Sequence, residues 1–321
     1  MSDGVRPTIE LISYTGNPIV TAYYLWQRSK LSNYELNFHE TVDKYECGGA
    51  FTDEVNDLFM KIIRQEIPVS ENIEFVFMVN DDSIAHREQM VRHRIGHTHG
   101  DNYGVDIIPE ASKSSYWSQS MRILDMGKFF QENRYLLPDT IAQNEDAKRA
   151  YQFALGVVEE CYGDLVHVHN IPMEDARNIM PLAATMDISW KMSLQSLLHV
   201  LGKRSCWILQ LGLWEPIIRG MIESLCDQIH PMFREIILPP CFTDGEFSGC
   251  VYKLENERRV SGEDSLCVCP LYIGTETNHP QAFNNLPPRH KSDTLHRASQ
   301  YRKLWGRDVW TGEKLQENEN G

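Results

Sequence analysis

The sequence predicts an α+β protein, a sheet flanked by helices and followed by a Cys-containing C-terminal appendage. Three observations predict it. Runs of β-forming residues at Thr8–Tyr14 and at positions 73–79 sit among longer stretches with helical periodicity. Helical patterns then dominate from position 145 to 229. After Pro239-Pro240 the character changes: Cys241, Cys250, Cys267 and Cys269 occur among glycines and prolines, with a basic-aromatic run at 301–305. The expected organisation is a catalytic domain over residues 1–238 and an appendage over 239–321, with the composition of a disordered tail at 313–321.

Composition narrows the class. With 321 residues, 42% of them hydrophobic and 24% charged, the chain can bury a sizeable core. A net charge of −14 opposes nucleic-acid and acidic-membrane partners, which reward a basic face. No stretch approaches the roughly 20 apolar residues of a membrane span, and residues 1–7 lack a basic or apolar signal region. A soluble, cytoplasmic protein is expected.

The elements follow in order. Thr8–Tyr14 reads as a strand, Gly16-Asn17-Pro18 as a turn, and 19–28 as a helix. In 54–64, Val55, Leu58, Phe59, Ile62 and Ile63 recur at helical spacing, and Pro68 stops the run. The strand at 73–79 is bounded by Ser70-Glu71-Asn72 and Asn80-Asp81-Asp82. Ser83 caps a helix expected to run to Arg94 and to carry Gln89, Arg92 and His93 on neighbouring faces. Residues 95–119 read as a long loop of the kind used for lids and binding segments. The helix at 145–162 is expected to bury Ala150, Phe153, Ala154, Val157 and Val158. A short helix opens at Asn170 or Pro172, carries Glu174 and Asp175 in its first turn, and ends or kinks at Pro181. Trp190, Leu194, Leu197, Leu198 and Leu201 form an apolar stripe on a helix over 190–201, and 207–229 reads as a helix pair or as a single helix kinked at Pro216.

The chemistry centres on Gln89, the triplet Arg92-His93-Arg94, and Ser120-Met121-Arg122. Arginines gathered this closely repel one another unless an anion or a flavin-like ring neutralises them, or unless they are a solvated surface. Arg177 reads as a site residue or a helix-surface charge. Arg204, at a helix C-terminus, reads as a site residue or a partner of the helix dipole. His199, on an apolar face, reads as a ligand contact or a satisfied core histidine. The pairs His97-x-His99 and His167-x-His169 lack a third ligand, and no metal is assigned to them. The four late cysteines fit either a zinc site of irregular spacing or buried thiols.

In this order the motifs resemble the flavin-dependent thymidylate synthases. That family has an Arg-His-Arg triplet ending a helix, a Ser-x-Arg seven residues on, an Ala-Arg-x-x-Leu-Pro segment, and a Trp-containing stretch running to Leu-Arg. The matching segments are 89–94, Ser120-Met-Arg122, Ala176-Arg177-Asn-Ile-Met-Pro181 and 190–204, then Gln210; Glu71 and the first strand also match. The resemblance covers roughly residues 9–235 and implies a central twisted, mostly antiparallel sheet.

It further implies C5 methylation of a pyrimidine nucleotide, dUMP to dTMP, with FAD as cofactor and methylenetetrahydrofolate and NADPH as co-substrates, in a homotetramer with shared active sites. Gln89, Ser120 and Arg122 would meet the phosphate and sugar, with Arg177 and Arg204 as catalytic groups at the base. Glu71, Arg92, His93, Arg94, Ser193 and His199 would hold the flavin. Departures lie at both pockets: the 95–119 insert displaces Ser-x-Arg, Ser118 stands where Glu is expected and Ile123 where Tyr is, Ser193 and Gln195 replace Asn and Arg, and Gly212 replaces an acid. They leave room for a methylase or hydroxymethylase acting on dCMP, UMP or CMP, or for a non-catalytic nucleotide-binding homologue.

Overall fold

The computed structural model describes residues 4–29, 37–47, 50–51, 53–64, 68–92, 114–119, 126–205 and 211–237. Two compact units are distinguished, Met1–Val200 with Gly212–His230, and Leu201–Leu211 with Pro231–Gly321. His93, Arg94, Ser120, Arg122, Gln210 and the four late cysteines lie outside the described residues.

The elements of the first unit are β1 (Thr8–Tyr14), α1 (Pro18–Ser29), α2 (Phe38–Tyr45), the short pair β2 (Glu46–Cys47) and β3 (Ala50–Phe51), and α3 (Asp53–Arg64). A 3-10 turn, Pro68–Asn72, leads into β4 (Glu74–Ser83) and α4 (Ile84–Met90). There follow β5 (Ser115–Ser118), α5 (Met126–Gln131), α6 (Asp139–Ala142), α7 (Glu145–Gly163), α8 (Met173–Ala176) and β6 (Thr185–Ser193). Helix α9 (Leu194–Arg204) crosses into the second unit, and α10 (Leu211–Gln228) belongs to the first apart from its initial residue. In the second unit, α11 (Phe233–Ile236) buries Phe233 and Ile236.

Four strands form one antiparallel sheet in the order β1-β4-β6-β5. Period-two alternation puts Phe75, Phe77 and Val79 of β4 and Met186, Ile188, Trp190 and Met192 of β6 into the core, with Phe77 opposite Trp190. Ile9 and Leu11 share a face of β1, and α10 packs on that strand through Gly220.

A Cβ added at Gly220 would meet Ile9 Cγ1 at 2.6 Å and Ile9 Cβ at 2.9 Å. Alanine would gain about 1 kcal/mol of helix propensity. Overpacking against the branch point of a β-branched side chain costs about 1–3 kcal/mol and wins. Gly220→Ala is therefore expected to lower the denaturation midpoint, and Ile9→Ala in the same chain to restore part of it.

The structure corrects several expectations. Residues 190–193, read as the start of the 190–201 helix, are the end of strand β6 (Thr185–Ser193), because Met186, Ile188, Trp190 and Met192 alternate with more polar neighbours. Residues 115–118 form edge strand β5 and are not part of a loop. Strand β4 continues through Asn80-Asp81-Asp82, where a register shift and a positive φ of 54° at Asp81 admit one extra residue. The bulge is fastened by side chains. Arg134 Nε and Nη2 donate to Asp81 Oδ1 at 3.2 Å, the Asp81 amide donates to Asp187 Oδ1 at 3.0 Å, and Gln119 Nε2 donates to Asp187 Oδ2 at 2.7 Å.

Helix α7 buries Leu155 and Tyr162, whereas Phe153 is 75% exposed and Val157 43%. Its buried stripe is rotated from the expected one because α5 and the 135–137 segment present Phe129, Tyr135 and Leu137 to it. Helix α4 stops at Met90, with Val91 as its C-cap, so Arg92 lies in a turn beyond the helix.

Candidate active site

Helix α4 starts where Ser83 pairs with Thr185, at the beginning of β6, and Ser83 Oγ accepts the His86 amide at 3.1 Å. From there α4 doubles back over the sheet. The Tyr116 hydroxyl donates to the Met90 carbonyl at 2.8 Å, and Tyr116 pairs with Trp190, three residues from the end of β6. Gln89 and Arg92 are thereby carried towards the end of the sheet where β6 finishes. Gln89 is half-buried and Arg92 exposed.

The same end holds Ser193 and Glu71. The Leu194 amide donates to the Ile73 carbonyl at 2.7 Å, and Glu74 pairs with Ser193, so the Glu71 turn abuts the start of α9. Ser193 is buried, and its Oγ accepts the Ser196 amide at 3.2 Å. The second residue of α9 is Gln195, 8% exposed, whose Oε1 has no hydrogen-bond partner among the described residues. His199 is half-buried on α9, and Arg204 is half-buried at its last position, within the second unit.

Arg177 stands elsewhere. It opens the 3-10 turn Arg177–Ile179 beside α7 and α8, on the segment that leads into the start of β6. Its Nη2 approaches Glu174 Oε1 at 3.5 Å, while Nη1 is buried with no partner among the described residues. Glu71 and Ser193 thus lie at the end of the sheet where β6 finishes, Gln89 lies beside the Trp214–Trp190 pair, and Arg177 lies on the segment that leads into the start of β6.

Residues that the sequence reading passed over support Gln89. Trp214 of α10, fully buried, donates from its indole nitrogen to Gln89 Oε1 at 3.1 Å. Its ring meets the edge of His86 at 4.1 Å between centroids and lies 6.3 Å from Trp190, which stacks on Tyr116 at 5.5 Å. His86 Nδ1 is hydrogen-bonded to Asp82 Oδ1 at 2.8 Å, both side chains being 1% exposed. The i, i+4 spacing of Asp82 and His86 was the available signal.

A cavity of about 500 Å³ opens between α7 and the Pro181–Ala183 segment, lined by Tyr151, Leu155, Val158 and Leu182. The Tyr151 hydroxyl donates to the Leu136 carbonyl at 2.9 Å, and burial, then the neighbouring Tyr135, push its pKa up. No charged side chain lines this cavity, so it does not suit a phosphate. Among the described residues no cluster of His, Cys, Asp and Glu is placed to hold a metal ion, and no helix is long and apolar enough to cross a membrane.

The antiparallel α+β scaffold thus carries the amide of Gln89, the hydroxyl of Ser193 and the guanidinium of Arg92. The family model described as thymidylate synthase complementing protein matches residues 10–230. Relatives include the flavin-dependent thymidylate synthases of Nitratidesulfovibrio vulgaris, 26% identical over 70% of this chain and 84% of the relative, and of Thermococcus onnurineus, 26% identical over 75% and 87%. The fold is similar to that of the Helicobacter pylori flavin-dependent thymidylate synthase complexed with FAD and dUMP, with a TM-score of 0.51, 15% identity, and coverage of 72% of this chain and 99% of that one. It is also similar to a UMP/dUMP methylase of Streptomyces cacaoi bound with 5-Br dUMP, at TM-score 0.50, 16% identity, and coverage of 72% and 94%. The chain belongs to the thymidylate synthase complementing protein family, the flavin-dependent thymidylate synthases, and is an enzyme of that family.

Proposed function

We propose that the protein methylates C5 of a pyrimidine nucleotide, converting dUMP to dTMP, with FAD as cofactor and methylenetetrahydrofolate and NADPH as co-substrates. The observation that carries this reading beyond the family is Arg177. A buried guanidinium nitrogen without an acceptor is costly. A planar fork of donors suits the carbonyl and ring-nitrogen edge of a uracil, or an oxyanion. Gln89 and, by resemblance, Ser120 and Arg122 meet the sugar and phosphate, with Arg204 at the base.

The residues present fit a flavin. Gln195 Oε1 is a buried acceptor lacking a donor among the described residues, two positions after Ser193, and the flavin ring carries an N–H that such an oxygen accepts. Arg92, with His93 and Arg94 by resemblance, supplies positive charge for the pyrophosphate, and His199 completes the set. When bound, reduced flavin supplies the hydride that turns the transferred one-carbon unit into a methyl group. The protein's part is to bind, orient and polarise.

A homotetramer with shared active sites, as the resemblance implies, is supported by the apolar surface of α7 and of the segment before β6, where Phe153 is 75% and Leu182 66% exposed. A cytoplasmic location completes the proposal. The similarity of fold to a UMP/dUMP methylase favours UMP as the second candidate substrate.

The purified protein is expected to carry a flavin absorption band that NADPH bleaches. Incubated with methylenetetrahydrofolate, NADPH and dUMP, UMP, dCMP or CMP in turn, it should add one methyl-derived mass increment to dUMP. Product from another nucleotide and none from dUMP would replace the substrate, and no flavin and no product would replace the reading.

A further inference from the structure

We propose that Trp214 is a positioning residue that fixes the amide of Gln89 as a hydrogen-bond donor towards an acceptor oxygen of the nucleotide. This rests on the reading of Gln89 as a nucleotide-binding residue. An indole N–H can only donate, so whichever way a glutamine amide is turned, the atom facing Trp214 at 3.1 Å must be the oxygen. The amide is planar, with its oxygen and nitrogen on opposite branches. Fixing the oxygen against α10 turns the NH2 group away from it. Gln89 therefore meets its ligand with donors and not with an acceptor.

The indole is itself held from several sides. It is fully buried; the His86 ring edge abuts it at 4.1 Å and 71°, and Trp190 abuts it at 6.3 Å and 62°. His86 cannot swing away, because Nδ1 is bonded to buried Asp82 and its backbone amide to Ser83 Oγ. Tyr116 ties the end of α4 to the same aromatic stack through the Met90 carbonyl. A glutamine free to turn could offer either end to a ligand. One anchored this way is preset for phosphate, sugar or carbonyl oxygens, and its loss of rotamer freedom precedes binding.

The test is a double-mutant cycle on the FAD-loaded full-length protein. Calorimetry would read the Kd for dUMP, or for whichever of dUMP, UMP, dCMP and CMP the wild type binds most tightly. Gln89→Ala and Trp214→Phe are each expected to weaken binding about 10-fold, the scale of one lost hydrogen bond to a ligand. The double variant should also be about 10-fold weaker, because Trp214 acts only through Gln89. Gln89→Glu keeps an oxygen for the indole and replaces the donors with an acceptor, so it should bind at least as weakly as Gln89→Ala.

Losses that multiply in the double variant overturn the inference, as does wild-type affinity in Gln89→Glu. The second arm decides alone if Trp214→Phe does not fold. If the wild type binds none of the four nucleotides, the functional reading falls and takes this inference with it. Binding by the wild type with no coupling removes only the role of Trp214.

Discussion

Replacing Arg177 with alanine is expected to lower kcat/KM for dTMP formation at least about 100-fold, the typical loss when one donor to a developing oxyanion is removed, while leaving thermal stability unchanged or slightly higher. The two halves of that expectation have one cause. A structural arginine would have its guanidinium satisfied by the fold. Here Nη2 has only a 3.5 Å approach to Glu174, whose side chain is 60% exposed, and Nη1 is buried without an acceptor among the described residues. An exposed ion pair contributes about 0–1 kcal/mol, and a stranded buried donor costs about 1–3 kcal/mol. Truncation removes more cost than benefit in the free protein.

Arg177→Lys should recover little activity, since an ammonium cannot present the planar fork. Steady-state kinetics and a thermal melt on the same preparations check both halves. A melting point several degrees lower with kcat/KM intact would make Arg177 a structural residue and remove the observation that carries the proposed function.

His86→Ala is expected to be the most destabilising single change at the site, at about 3–5 kcal/mol, the cost of removing one partner of a buried polar pair. Asp82 and His86 are both 1% exposed, and Asp82 Oδ2 already lacks a partner among the described residues. Alanine would strand Oδ1 as well and leave a void against Trp214, which the imidazole meets at 4.1 Å. For a unit of this size that corresponds to a fall in melting temperature of roughly 10 °C. Asp82→Asn in the His86→Ala chain should recover part of the loss, because a neutral amide is less costly to strand than a carboxylate. Equal melting points for wild type and His86→Ala would show that the pair contributes nothing to the fold.

Local chemistry was legible in the sequence where it acts over a few residues. Strand β1 was read with the bounds it has, α1, α3 and α7 within about a residue, and the Ser83 cap from its residue type alone. Gln89, Arg177, Ser193 and Glu71 could be nominated because motif order along the chain survives divergence. Strand β6 was misread because Trp190 and the leucines that follow it imitate a helical stripe, although its alternation was present.

What only the tertiary structure decided depends on partners distant in sequence. The buried face of α7 was set by Phe129, Tyr135 and Leu137, which the periodicity of α7 cannot contain. The bulge at Asp81 was set by Arg134 and Asp187, 53 and 106 positions away. The orientation of Gln89 was set by Trp214, 125 positions away. Sequence by itself nominated residues for the chemistry, since charge, donors and spacing are local properties. The packing of α10 against α4 determined which way Gln89 faces, because a hydrogen bond's direction belongs to both of its partners.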